Sequence, residues 1–207
     1  MIDGSVNKSN YDRIEEQYGG RFEILYNDKN IGQAASIDRI YNLVDTEYIF
    51  HCEDDWEFHG SGFVEASLDI ISENSKHLQV WIRDHDDCGH PRLEPTYFTK
   101  SGTPYKRLAP DYHGWKGFSW GPGIRRLSDY RIVRPYSAHF HPKSACPWEK
   151  AAGVLYSKLG YITVTTASGY CRTIGRKRHI PIPESLLIPT VASDDSKKRV
   201  NASKSLN

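Results

Sequence analysis

The sequence contains no C-x-x-C pair. Its four cysteines, Cys52, Cys88, Cys146 and Cys171, are widely scattered, which excludes zinc-finger or zinc-ribbon spacing. No apolar run approaches the ~20 residues that a membrane helix needs. The first residues show no signal-peptide pattern, so the expectation is a cytoplasmic protein whose cysteines are reduced thiols. Charge of one sign is lacking too. A net charge of +1 leaves no global field to attract nucleic acid or an anionic membrane. Internal repeats are absent. What is present is a 207-residue chain, long enough for one domain with a sizeable core and rich in aromatics at 12%.

The first half alternates between two periods. Residues 9–18 can form a short helix and residues 22–26 read as a strand. Gly32 opens a helix through about Leu43, with Ala34, Ile37, Ile40 and Tyr41 on one face. Residues 47–52 form the next strand, with Cys52 expected to be buried at its end. Ser61 is placed to cap a helix carrying Phe63, Val64, Leu68 and Ile71, and residues 78–82 are another strand. Strands alternating with helices predict an α/β domain with a largely parallel sheet.

Residues 85–122 differ, being rich in Gly, Pro, His and aromatics with little periodicity. A stretch that long is expected to be a functional loop. After it, residues 125–133 read as a short helix. Pro147 suits a first helical position, and residues 148–159 continue that helix to Gly160. Residues 161–166 are a β-branched strand. The polar stretch 191–207 reads as a disordered tail behind a single domain of residues 1–190.

"HCEDDWEF" (residues 51–58) sets Glu53, Asp54 and Asp55 directly behind an apolar run. Adjacent carboxylates repel, and one tends to take up a proton unless a cation sits among them. In open α/β sheets ligands bind at the carboxyl ends of strands. Hard carboxylate oxygens suit Mg²⁺ or Mn²⁺, and such ions leave positions for substrate phosphates. A solvated acidic turn beside Lys or Arg is the plain alternative.

The segments "MIDGS" (1–5), "NDKNIGQAASIDRIYNLVDTEYIFHCEDDWEF" (27–58) and "PWEKAAGVLYSKLGY" (147–161), in this order, resemble a family-2-like glycosyltransferase of the GT-A fold. "GFSWGPGIRRLSDY" (117–130) and "GYCRTIGRKRHI" (169–180) resemble segments of its bacterial members. The resemblance implies an open, Rossmann-like mixed sheet flanked by helices. It implies transfer of a sugar from a UDP- or GDP-type donor to a hydroxyl of a glycan, lipid or protein acceptor, with inversion. Asp3, within the segment Asp3-Gly4-Ser5, would contact the nucleobase or ribose, and the N-x-G of Asn30 and Gly32 belongs to the donor-binding core. Glu53 and Asp54 would lie against ribose and sugar. Asp55 would bind Mn²⁺ or Mg²⁺, with His179 the nearest further ligand. Glu149 would be the general base, with Asp84 the second candidate. The family's first strand, central in its sheet, has no counterpart before residue 1. The expectation is a truncated reading or another segment in its place, with the pocket around Asp3 open on one side.

Other features have two readings each. Glu149, in the first turn behind Pro147, is favoured there by the helix dipole alone, and that dipole weakens it as a base. Trp115, Phe118 and Trp120, interleaved with glycines, read as an acceptor platform or as core filler. "RDHDDCGH" (83–90) and "HFH" (139–141) could hold a second metal, but match no ligand spacing and read as solvated loops. Arg125, Arg126, Arg172, Arg176, Lys177 and Arg178 could meet diphosphate oxygens or be solvated. Two functional alternatives stand beside glycosyl transfer: a non-catalytic nucleotide- or carbohydrate-binding module, and a metal-dependent phosphoesterase. The latter needs a second cluster of carboxylates or His within ~4 Å metal spacing.

Overall fold

The computed structural model describes residues 2–3, 8–87, 91–109, 117–140 and 146–175. In chain order it runs β1 (Ile2–Asp3), α1 (Lys8–Tyr18), β2 (Leu25–Tyr26), α2 (Gln33–Tyr41), β3 (Tyr48–His51), β4 (Trp56–Phe58), α3 (Phe63–Glu73) and β5 (His77–Trp81). It continues with β6 (Tyr97–Phe98), β7 (Pro104–Arg107), β8 (Gly123–Arg126), α4 (Leu127–Val133), a 3-10 turn (Tyr136–Ala138), α5 (Pro147–Lys158), β9 (Ile162–Thr166) and β10 (Cys171–Thr173).

The helices start where local chemistry allows. Pro147 takes the first position of α5, where its missing N–H costs no hydrogen bond. The residue before α3 is Gly62, in the left-handed region at φ 81°, and not the expected Ser61. In α2 the spacing of Ala34, Ile37 and Tyr41 buries one face as expected.

The main sheet is six-stranded and mixed, in the order β3-β8-β5-β9-β7-β6. Only β5 and β9 run parallel within it. A largely parallel sheet was expected. The difference comes from β8, which inserts antiparallel between β3 and β5 with Arg125 opposite both Ile49 and Gln79. Residues 123–126 belong to this strand, and the helix expected from residue 125 begins at Leu127. Gly123 is required there, because a Cβ at that position would strike the Val80 carbonyl oxygen.

Helices cover both faces of the sheet. One core joins Ala34, Ile37 and Tyr41 to Ile49, Tyr130, Tyr136 and Tyr156. The other sets Val80, Ile124 and Val164 against Ile70 and Ile71 of α3. Burying each such large side chain contributes ~1.5–3 kcal/mol. Two small sheets flank the main one: parallel β1–β2, with Asp3 opposite Tyr26, and antiparallel β4–β10, with Thr173 opposite Trp56. Among the described residues β1 pairs only with β2, and β3 pairs only with β8. Among them, too, no helix is long and apolar enough to cross a membrane.

Candidate functional site

The acidic turn joins β3 to β4, at the carboxyl end of β3. Glu53 is held from α2: Gln33 Nε2 donates a short hydrogen bond to Glu53 Oε1. Burial first, then the charges of Asp55 and Glu149, push the Glu53 carboxyl up to about 7. Two of the three neighbouring acids of the turn thus share a site with an acid almost a hundred residues further along the chain. Asp54 is exposed.

Asp55 is fixed through its backbone. Its carbonyl accepts from the Ile174 N–H at 2.8 Å and from Thr173 Oγ1 at 3.4 Å, which ties the turn to the end of β10. The side chain lies against Gly175, where a Cβ would overlap Asp55 Cβ and Oδ2. Among the described residues Asp55 Oδ1 is buried with no hydrogen-bond partner. An unpartnered buried carboxylate oxygen is costly, and a bound cation would relieve it.

Glu149 enters from the first turn of α5 and accepts the Trp120 backbone N–H at 2.6 Å. At the helix N-cap, the Cys146 thiol is pushed up to about 11 by burial and the Glu149 carboxylate. Cys52, expected to be buried, is exposed and free. Its thiol is raised to about 11 by burial of part of the residue and by the Glu53, Asp55 and Asp54 charges.

Asn30 and Gly32 form a local turn. Asn30 Oδ1 accepts the Gly32 N–H at 2.8 Å, and Gly32 holds φ 81° at the start of α2. A small cavity of about 80 Å³ opens beside it, lined by Ile31, Gly32, Ala34, Ala35, Ser137 and Trp148. Gln33 and Glu149 each adjoin one of these lining residues in sequence.

Several expected site residues lie elsewhere. Phe118 and Trp120 are 1% and 3% exposed and pack with Tyr136 in the first core. They present no face to an acceptor, because the apolar core competes for the same rings. Asp84 is engaged by His59, whose Nε2 lies 3.0 Å from Asp84 Oδ1, and its side chain lies against Gly169. Arg126 donates to the carbonyls of His77, Asn74 and Ile71, closing the end of α3. Arg125 is 2% exposed and donates to the Ser119 carbonyl. Arg172 pairs with Glu57 at 2.8 Å. None of these three faces the acidic turn. Asp3 is described only as part of β1. Gly4, Ser5, Trp115, His179, the run 176–178 and the tail 191–207 lie outside the described residues.

Two buried acids, Asp38 and Asp129, escaped the sequence reading. Asp38, 6% exposed on α2, accepts from Tyr130 Oη, the Tyr136 N–H and the Ser137 N–H. Its signal was there: position 38 follows Ala34 by four residues and shares its buried face.

Among the described residues no group of three or more His, Cys, Asp or Glu side chains is placed to hold a metal. Asp55 with its orphaned oxygen fits a Mg²⁺- or Mn²⁺-type ion that takes its remaining ligands from water and substrate oxygens. No family model matches the sequence, and no curated protein matches it.

Proposed function

We propose that this chain is a GT-A-type glycosyltransferase that moves a sugar from a nucleotide-sugar donor to an acceptor hydroxyl. The observation that carries the reading is the buried, unpartnered Asp55 carboxylate oxygen in the acidic turn at the carboxyl end of β3, where the Asp55 and Glu149 charges both act on Glu53. Asp55 would hold Mn²⁺ or Mg²⁺, with Asn30, Gly32, Glu53 and the β1 region of Asp3 beside the donor. When bound, the cation acts as a Lewis acid that offsets negative charge on the departing diphosphate.

The chain's own residues do the rest. Gln33 orients the Glu53 carboxyl by its hydrogen bond. The Trp120 N–H orients the Glu149 carboxyl. Glu149 takes the proton of the acceptor hydroxyl as that oxygen bonds to the anomeric carbon. The bond from that carbon to the diphosphate oxygen breaks, and its electron pair leaves with the nucleoside diphosphate. Attack from the side opposite the leaving group inverts the anomeric configuration. Such a base contributes ~100- to 10,000-fold.

A donor-hydrolysis and transfer assay with UDP- and GDP-sugars, with and without Mn²⁺, tests the proposal. Metal-dependent release of nucleoside diphosphate supports it. Metal-dependent binding without turnover would leave a binding module, and release of inorganic phosphate from simple phosphoesters would point to a phosphoesterase.

A further inference from the structure

Arg83 follows β5 at the same end of the sheet as the acidic turn, with β8 between the two. Its guanidinium carbon lies over the Trp81 ring, 4.3 Å from the centroid. Trp81 is buried and is itself fixed: with the Gln79 amide oriented to suit both neighbours, Gln79 accepts from the Trp81 indole N–H and donates to the Ser119 carbonyl. A bridge from Arg83 to Cys171 fixes its backbone. The cation is therefore held on a rigid platform.

Among the described residues Arg83 Nε is buried with no hydrogen-bond partner. Of the acids that follow it in sequence, Asp84 is engaged by His59 and Asp87 accepts the Thr173 N–H. A guanidinium is always charged and presents planar, paired donors that match an oxyanion. Arg107 and Arg125 also carry an unpartnered buried Nε, but Arg107, stacked on Tyr97, sits on β7 towards the far edge of the sheet, and Arg125 is only 2% exposed. Position distinguishes Arg83.

That position is next to the site. Arg83 Nη1, Trp56 Cζ2 and Ser119 Oγ meet round Gly121, each 3.4 Å from where a Cβ would stand. Trp56 adjoins Asp55 in sequence, and Gly121 adjoins Trp120, which holds Glu149. Strands two apart in a sheet are separated by roughly 10 Å, about one sugar ring beyond the acidic turn.

We infer that Arg83 is the subsite for an oxyanion carried by the acceptor, a carboxylate or a phosphate on the molecule whose hydroxyl Glu149 deprotonates. This rests on the glycosyl-transfer reading above for the word acceptor, though not for the anion site itself. The acidic turn and the Arg83 platform then divide the labour. Carboxylates and their cation take the diphosphate donor, and the guanidinium takes the negative group of the second substrate. A neutral sugar would leave the buried Nε–H unpaired and bind less well.

The test follows the arginine Nε–H signals by NMR in the full chain, without metal or nucleotide. Glucose 6-phosphate, glucuronate and glucose are the probes, and Arg83→Lys identifies the resonance. The expected result is a saturable shift of the Arg83 signal with one or both anionic sugars and none with glucose. Which anion acts distinguishes a phosphorylated from a uronate acceptor. Arg83→Met should weaken that probe roughly 10- to 100-fold, with Arg83→Lys in between. An unmoved Arg83 signal with both anions overturns the inference, even if Arg83→Met fails to fold. Equal binding by wild type and Arg83→Met overturns it as well. Asp55→Ala should retain the anion shift. Absence of metal-dependent nucleotide binding by the wild type would instead reject the glycosyl-transfer reading and leave the Arg83 result standing.

Discussion

The Trp120 backbone N–H and the Glu149 carboxylate are joined by a 2.6 Å hydrogen bond across 29 residues of sequence separation. Trp120 itself is locked in the core against Phe118 and Tyr136. The contact gives a helix-terminal acid a fixed position beside the acidic turn, while a carboxylate retains lone pairs for an incoming proton. A residue expected to touch substrate thus serves instead to position one.

Glu149→Gln keeps an oxygen for the Trp120 N–H and removes the basic carboxylate. Folding and donor binding should be unchanged, and sugar transfer should fall ~100- to 10,000-fold. Single-turnover kinetics at saturating donor measure this. A rate within a few-fold of wild type would leave Glu149 a helix-terminal charge.

Asp38→Ala should be strongly destabilising. The substitution strips partners from the Tyr136 and Ser137 N–H groups and from Tyr130 Oη. Each buried donor left unpaired costs ~1–3 kcal/mol, so a total of several kcal/mol is expected. Urea unfolding gives the number, and a loss below about 1 kcal/mol would mean that water replaces the carboxylate.

The buried histidines should lower stability on acidification, against an opposite contribution from Glu53, whose raised carboxyl takes up its proton more readily folded than unfolded. Burial, with the Arg125 charge, holds His51 well below the ordinary 6.5, and burial lowers His77 as well. Below 6.5 the unfolded chain binds protons that these folded imidazoles refuse, so stability is lost as pH drops through that value. Each histidine contributes a slope of at most about 1.4 kcal/mol per pH unit. Unfolding midpoints between pH 8 and pH 5 measure it, and His77→Gln should flatten the profile if it still folds. A folded His77→Gln variant with the same pH profile as wild type would contradict the His77 assignment.

Much of the fold was legible in local signals. The apolar run before Glu53, the Pro147 start of α5 and the spacing of Ala34, Ile37 and Tyr41 each act within a few residues. What escaped depends on partners far along the chain. Strand β8 reads as a helix start because Arg125 and Arg126 look like surface cations, yet pairing with β3 and β5 buries one and turns the other onto the end of α3. Strands β4 and β10 are three residues each and exist through one another. Strands β6 and β7 hide inside the stretch that reads as loop. Phe118 and Trp120, set among glycines, look exposed, and only the facing tyrosines show that they are core. The stacking of Arg83 on Trp81 had no sequence signal beyond their spacing of two on one strand face.

The central claim is that Asp55 holds a divalent cation on which a nucleoside diphosphate binds. Calorimetric titration of UDP and GDP into the protein, with and without Mn²⁺ and repeated on Asp55→Ala, tests it most directly. The account predicts binding of one nucleotide only with Mn²⁺, and its loss in Asp55→Ala with the unfolding midpoint little changed. Unaltered Mn²⁺-dependent affinity in Asp55→Ala, or no metal-dependent binding of either nucleotide by the wild type, would contradict it.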